Sequence, residues 1–364
     1  MTIPTPSASV CQGRPERWGA FQFIALTGAL ISLVACGSAA TGKPKDEVAP
    51  GLGAAAAGRH GVVKVVATVS PITSIVESIG GSRIELEGVV PEGVNSHTFA
   101  PIPSVARLIS QADVIVLNGL FLEEPTLEMA RANKKPEGII LSLGEQAISK
   151  EQWQFDFTFP QSAGHPNPHL WPDPLLALRY AELVRDQLAE LDPANADYYS
   201  NNLTVFRQRV QSLDEAIRVA VSTIPAANRK LLTYHDSWAY FARRYGMVVI
   251  GAIQPSNFSE PSVRDVTQLI DQIKELQLPA VFGSEVFPSD VLETVAREAG
   301  ATFIDQLRDD DLPGAPGDPR HSYLGLMLQN MEIMIPALGG DVEALSSFNP
   351  GPVFDGHSTA KYPQ

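Results

Sequence analysis

The chain has 364 residues, with 27 lysines and arginines against 41 aspartates and glutamates, a formal charge of −14. That acidic balance repels nucleic-acid phosphates and anionic lipid headgroups, which argues against both as electrostatic partners. Two cysteines cannot build a disulfide framework, and a hydrophobic share of 44% argues against wholesale disorder.

Arg14 and Arg17 precede an apolar run from Phe21 to Ala35. The run is short for a membrane span and suits the core of a signal peptide, predicted over residues 1–35. It closes on Leu33-Val34-Ala35-Cys36-Gly37, which resembles a bacterial lipobox. The expectation is cleavage before Cys36 and lipid on its sulfur, leaving the protein anchored on the outer face of the cell membrane. Residues 36–61 are rich in Gly, Ala and Pro and cannot bury enough apolar surface to fold. They read as a flexible tether, with His60 solvated within it.

Past the tether, short apolar runs alternate with helical periodicity. Strands are predicted at 62–69, 84–90, 113–117 and 138–142, with helices at 71–79, 103–111 and 121–132, and another from Pro174 to Leu191. A second series follows, with strands at 231–234, 247–253, 280–284 and 301–304. Its helices lie at 237–245, 261–277, 289–299 and 323–338. Such alternation predicts two α/β lobes, residues 62–191 and 226–345, each with a mostly parallel sheet flanked by helices, and a tail over 346–364.

Between the lobes, apolar side chains recur at Tyr199, Leu203, Phe206, Val210, Leu213, Ile217, Ala220 and Ile224. Asp192 is a good N-cap, and Pro193 fits the first helical position. Residues 192–225 therefore read as one linking helix of about 30 residues, roughly 45 Å long. A coiled-coil seam is the alternative, and a rigid spine between two lobes fits the context better.

Open α/β sheets bind ligands at the carboxyl ends of their strands, so histidines placed there carry functional weight. His97 lies in the loop leaving strand 84–90, and His235 directly follows strand 231–234. His169 lies in the proline-stiffened Asn167-Pro168-His169-Leu170-Trp171-Pro172-Asp173-Pro174, and Asp305 ends strand 301–304. Three imidazoles and one carboxylate can close a four-coordinate site for a borderline divalent metal, in the cleft between the lobes.

Six stretches carry a resemblance to a known family: 93–103 (GVNSHTFAPIP), 112–123 (ADVIVLNGLFLE), 168–174 (PHLWPDP), 192–202 (DPANADYYSNN), 234–246 (YHDSWAYFARRYG), and 303–312 followed by Tyr323-Leu324-Gly325-Leu326-Met327. Their order and content resemble the zinc/manganese-binding solute-binding lipoproteins of bacterial ABC transporters, from about Val62 to Leu338. The resemblance implies two lobes on a single long helix, with His97, His169, His235 and Asp305 as metal ligands. It also implies Zn2+ or, alternatively, Mn2+ as carried ligand, an ABC permease as partner, a monomeric receptor and no enzymatic activity. Cell adhesion, sometimes attached to this family's name, is not legible in the residues.

The departures from the family pattern bear on the metal. Zinc-specific members often carry a His-rich loop before the second ligand, where residues 150–167 supply only His165. Members devoted to manganese often have Glu at the position of His235, and this points to zinc first and manganese second. Around Asp305 the usual small residues give way to Gln306-Leu307-Arg308 and three aspartates, which leaves Glu285 as the reserve oxygen ligand. His321 and His357 read as surface groups. A zinc hydrolase on the same residues lacks His-Glu-x-x-His, and an organic-solute receptor would need Trp171 and Trp238 to line the cleft.

Overall fold

The computed structural model describes residues 61–254, 261–286 and 290–363. The expected signal peptide, Cys36, His60 and nearly all of the tether lie outside these residues. The first lobe comprises β1 (Val63–Ala67), α1 (Ser70–Gly80), β2 (Ile84–Gly88), α2 (Pro103–Gln111), β3 (Val114–Leu117), α3 (Glu124–Asn133), β4 (Ile139–Ser142) and the short α4 (Leu143–Ala147). Its strands pair in parallel in the order β2-β1-β3-β4. Helix α5 (Pro174–Leu191) and the long α6 (Ala196–Thr223) follow. The second lobe repeats the scheme with β5 (Lys230–Thr233), α7 (Ala239–Tyr245), β6 (Val248–Ala252), α8 (Val263–Leu276), β7 (Ala280–Phe282), α9 (Asp290–Ala299) and β8 (Thr302–Ile304). Its parallel order is β6-β5-β7-β8, and α10 (Tyr323–Ala337) ends the regular structure.

Local chemistry sets several boundaries. The Asp173 carboxylate accepts from the backbone amide of Leu175, and Pro174 fixes the first turn of α5. Gly246 takes a left-handed conformation at the end of α7, which an L side chain resists. The expected start of the spine shifts, because residues 193–195 form a 3-10 turn and the α-helix begins at Ala196. The reason is the Asp192 carboxylate, which accepts from Asn195 Nδ2 (2.7 Å) and the Tyr199 hydroxyl (2.8 Å) rather than capping backbone amides.

Alternation along the strands divides the apolar interior. Val63, Val65, Ala67, Val114 and Val116 face a central core, while Val66, Ile115 and Leu117 face a smaller one under α2 and α3. In the second lobe Leu231, Ala280 and Phe282 join the same central core, and Leu232 and Val281 face a separate cluster under α8 and α9. Period-2 alternation in strands buried on both faces produces this division. The stripe predicted on α6, from Tyr199 to Ile224, lies inside the central core, and α10 packs on α1 and α6. One apolar interior therefore runs from the first sheet through the spine to the second.

After α10 the chain returns to the first sheet. The Lys361 amide donates to the Leu86 carbonyl (3.0 Å), and the Lys361 carbonyl accepts from the Gly88 amide (2.9 Å). The tail thereby covers the free edge of β2. Among the described residues, no helix is long and apolar enough to cross a membrane.

Phe206 on α6 is fully buried in the central core. Phe206→Ala should destabilise the protein by about 3–5 kcal/mol through lost transfer energy and a residual cavity. Chemical denaturation, monitored by a probe in each lobe, is expected to show both signals shifting together.

Candidate metal centre

In both sheets the strand order reverses beside the first strand, so the carboxyl ends of β1 and β3, and of β5 and β7, flank natural crevices. His235 lies two residues beyond β5 at such a point. His97 stands on the loop after β2, where the Asn95 side-chain oxygen accepts from its amide (2.9 Å) and tightens the turn. His169 precedes α5, and the Asn167 side-chain oxygen accepts from its backbone amide (3.0 Å).

The three imidazoles converge. Nε2 of His97 lies 3.1 Å from that of His169 and 3.3 Å from that of His235, and the latter two are 3.0 Å apart. Among the described residues this is the group of three or more His, Cys, Asp or Glu whose ligand atoms converge, all within 4.8 Å. Zinc held by nitrogen in a tetrahedron sets its ligand atoms about 3.3 Å apart, so the spacing fits such an ion.

Partners behind the rings decide which nitrogen faces inward. Asn167 Nδ2 donates to the Asp236 carbonyl (2.6 Å) and to Asp156 Oδ2 (2.9 Å), which leaves Asn167 Oδ1 to accept from His169 Nδ1 (2.8 Å). Gln254 Oε1 likewise accepts from His235 Nδ1 (2.8 Å). With both Nδ1 atoms donating, the neutral form of each ring points its Nε2 lone pair at the other across 3.0 Å. Two lone pairs at that distance repel unless a cation lies between them.

The surroundings disfavour the charged form of two of the rings. Burial lowers His97 well below the usual imidazole range, and positive charge on His235 lowers it further. Burial also lowers His169, followed by the effects of His235 and His97. Phe159 packs within 5.5 Å of the His97 ring and Trp171 within 5.1 Å of the His169 ring, measured between centroids, excluding water on that side.

The oxygen side differs from the expectation. Asp305 is solvent-exposed at the end of β8 and does not join the imidazoles. Leu307 is buried, and its carbonyl accepts from the Glu285 amide, so the chain runs on past Asp305 before turning inward. The carboxylate it delivers belongs to Asp309, whose Oδ2 lies 3.9 Å from His235 Nε2. Ser284 donates to Asp309 Oδ1 (3.1 Å), and Trp171 Nε1 donates to its carbonyl (2.8 Å). Glu285, the reserve ligand, is also outside the group; its Oε1 accepts three backbone amides, those of residues 309–311. Burial and the charges of Asp309 and Asp311 push Glu285 well above the ordinary carboxylate range. A sequence signal for Asp309 existed: Leu307 and Leu312 are apolar and bracket the three aspartates, as an anchored loop requires.

The remaining histidines fall elsewhere. His165 is exposed with its ring stacked on Phe121, centroids 4.0 Å apart, and His357 is exposed. His321, expected on the surface, is buried instead; its Nδ1 donates to the Pro313 carbonyl (3.3 Å), and its ring meets Tyr362 of the returning tail. Trp171 and Trp238 are both buried in the central core.

Two parallel-sheet lobes with a buried imidazole cluster at their strand ends define a solute-binding protein built for a metal ion. The chain belongs to the family described as zinc-uptake complex component A, periplasmic, whose model matches residues 65–337. This is a family of transporter components and not of enzymes. The manganese-binding lipoprotein MntA of Halalkalibacterium halodurans is 29% identical over 318 residues, 87% of this chain and 98% of its own. The manganese ABC transporter substrate-binding lipoprotein PsaA of Streptococcus pneumoniae is 26% identical over 85% of this chain and 94% of its own. The solved periplasmic zinc-binding protein TroA of Treponema pallidum superposes with a TM-score of 0.69 at 26% identity, covering 76% of this chain and 99% of that one.

Lowered folded-state values have a definite sign. Between the ordinary imidazole value near 6.5 and the folded value, an unfolded chain takes protons that the folded rings refuse. These two rings therefore draw down the stability of the metal-free protein as pH falls below 6.5. In a proton NMR titration of that protein, the ring resonances of His97 and His169 should titrate below 6.5. Midpoints at or above 6.5 would contradict the burial described.

Proposed function

We propose that this chain captures a divalent transition metal on the extracytoplasmic face and hands it to the permease of an ABC uptake system. His97, His169 and His235 supply three nitrogens and Asp309 the oxygen. The observation that carries this reading is the convergence of three imidazole Nε2 atoms at 3.0–3.3 Å in a buried crevice. Asn167 and Gln254 turn the lone pairs inward before any ion arrives, so binding requires little reorganisation. Both lobes contribute ligands, and one chain supplies the whole set.

Zinc is the preferred cargo and manganese the second. Three nitrogens and one carboxylate favour Zn(II) on intrinsic affinity, and the ligand spacing suits its tetrahedral habit. Manganese favours more oxygen, and His235 occupies a place where a carboxylate would serve it better. The relatives carry both metals in their names, which keeps manganese as the second cargo.

Alanine at His97, His169 or His235 should each cost at least about tenfold in zinc affinity. Asp309→Ala should show a comparable loss, while Asp305→Ala binds like the parent. Competition dialysis with equimolar zinc and manganese, read by elemental analysis, is expected to return zinc; manganese occupancy would overturn the preference.

Attachment to the membrane rests on Cys36. The sequence Leu33–Gly37 and the lipoprotein names of the relatives support lipidation there. Cys36→Ser should abolish incorporation of labelled fatty acid and release the protein from the membrane fraction; labelling that persists rules out this anchor.

A further inference from the structure

We infer that Glu285 is a positioning residue, fastening the Asp309 loop so that the ligands of both lobes are presented together. The inference rests on the metal-capture reading above and adds a residue that touches no ligand atom of the site. Glu285 lies three residues beyond β7, at the crevice of the second sheet. Its Oε1 accepts from the amides of Asp309 (3.0 Å), Asp310 (3.2 Å) and Asp311 (3.0 Å). Three successive amides reach one oxygen only when the backbone curls around it, as in an anion nest. That oxygen is taken up by three donors, Oε2 accepts from the Ser284 hydroxyl (3.2 Å), and neither oxygen joins the converging imidazole nitrogens. Glu285 therefore acts on the metal through the loop and not as a ligand.

Four contacts from the curled loop follow. The carbonyl of Asp309 meets Trp171 Nε1 in the core, while its carboxylate faces His235. Asp310 Oδ2 accepts from the Ser96 hydroxyl (2.7 Å), and Asp311 Oδ2 accepts from the Gly93 amide (2.8 Å). Ser96 and Gly93 belong to the loop that carries His97. One carboxylate in the second lobe thus orders the oxygen ligand and, through Asp310 and Asp311, the seat of a nitrogen ligand in the first. Ser284, within 3.2 Å of Glu285 Oε2 and 3.1 Å of Asp309 Oδ1, joins the two carboxylates directly.

The test compares zinc affinities of the full chain carrying Glu285→Ala, Glu285→Gln, Asp309→Ala and His169→Ala. Glu285→Ala should weaken binding at least about tenfold, whereas Glu285→Gln, whose Oε1 still accepts the amides, should stay within about threefold of the parent. In an Asp309→Ala background, Glu285→Ala should cost clearly less than it does in the parent, since only the seat of His97 then depends on the loop. Amide exchange at Asp310 and Asp311 should accelerate in Glu285→Ala and not in Glu285→Gln. If Glu285→Ala does not fold, Glu285→Asp replaces it: the carboxyl group remains but its side chain is too short to gather all three amides, so a loss is still expected. A Glu285→Gln loss as large as that of Asp309→Ala would make Glu285 a ligand, and full affinity in Glu285→Ala, or additive losses, would equally overturn the inference. A His169→Ala protein that binds zinc like the parent sinks the metal reading itself, and this inference with it.

Discussion

Convergence of three imidazole nitrogens on one point is the constraint on which this structure turns. The three Nε2 atoms face one another at 3.0–3.3 Å. Two rings are held from behind, His169 by Asn167 and His235 by Gln254, while Asn95 tightens the backbone turn that carries His97. Asn167 in turn is tied down by Asp156 and the Asp236 carbonyl. Burial keeps Asp236 well above the ordinary carboxylate range, and the neighbouring Asp156 charge adds to the effect, so this support adds little negative charge to a dry interior. In the neutral forms of His169 and His235 the fold thus stores the close approach of two lone pairs, which a cation relieves.

Such a store needs a stiff frame, and the central core provides one. Sequence-distant elements meet there: the inner faces of both sheets, α1, α5, α10 and the full apolar stripe of α6. Close packing transmits small displacements, so ligands on separate lobes keep their register. The loop of Asp309–Asp311 carries that rigidity to the rim of the site through bonds to Trp171, Ser96 and Gly93.

Much of this was legible in the residues because the signals were local. Strand runs such as Val114–Leu117 and the Pro-initiated helices α2 and α5 announce themselves by pattern and punctuation, and α2 and α5 keep their expected limits. The three histidines stood out because strand ends in an open sheet are where ligands gather. The place of Asp309 beside His235 left only a faint trace, the leucines that bracket the aspartates, because it depends on how far the chain runs before a buried leucine turns it. Resemblance also favoured the carboxylate that ends the strand. His321 was misplaced for a similar reason: a Pro/Gly-rich approach reads as surface, yet the tail carrying Tyr362 folds over it. Long-range returns of this kind leave no periodicity to read.

The shared central core also bears on the stroke available to the receptor. A hinged clamshell with two independent interiors can swing widely, since each half stays dry when the halves part. Here a wide swing would draw Leu231, Ala280 and Phe282 away from the helices they share with the first sheet, wetting apolar surface on both sides. The inexpensive displacement is a short slide or tilt of the outer rim, on the scale of a side chain and not of a lobe. A permease reading such a receptor has only a few ångströms of rim geometry by which to tell a loaded protein from an empty one.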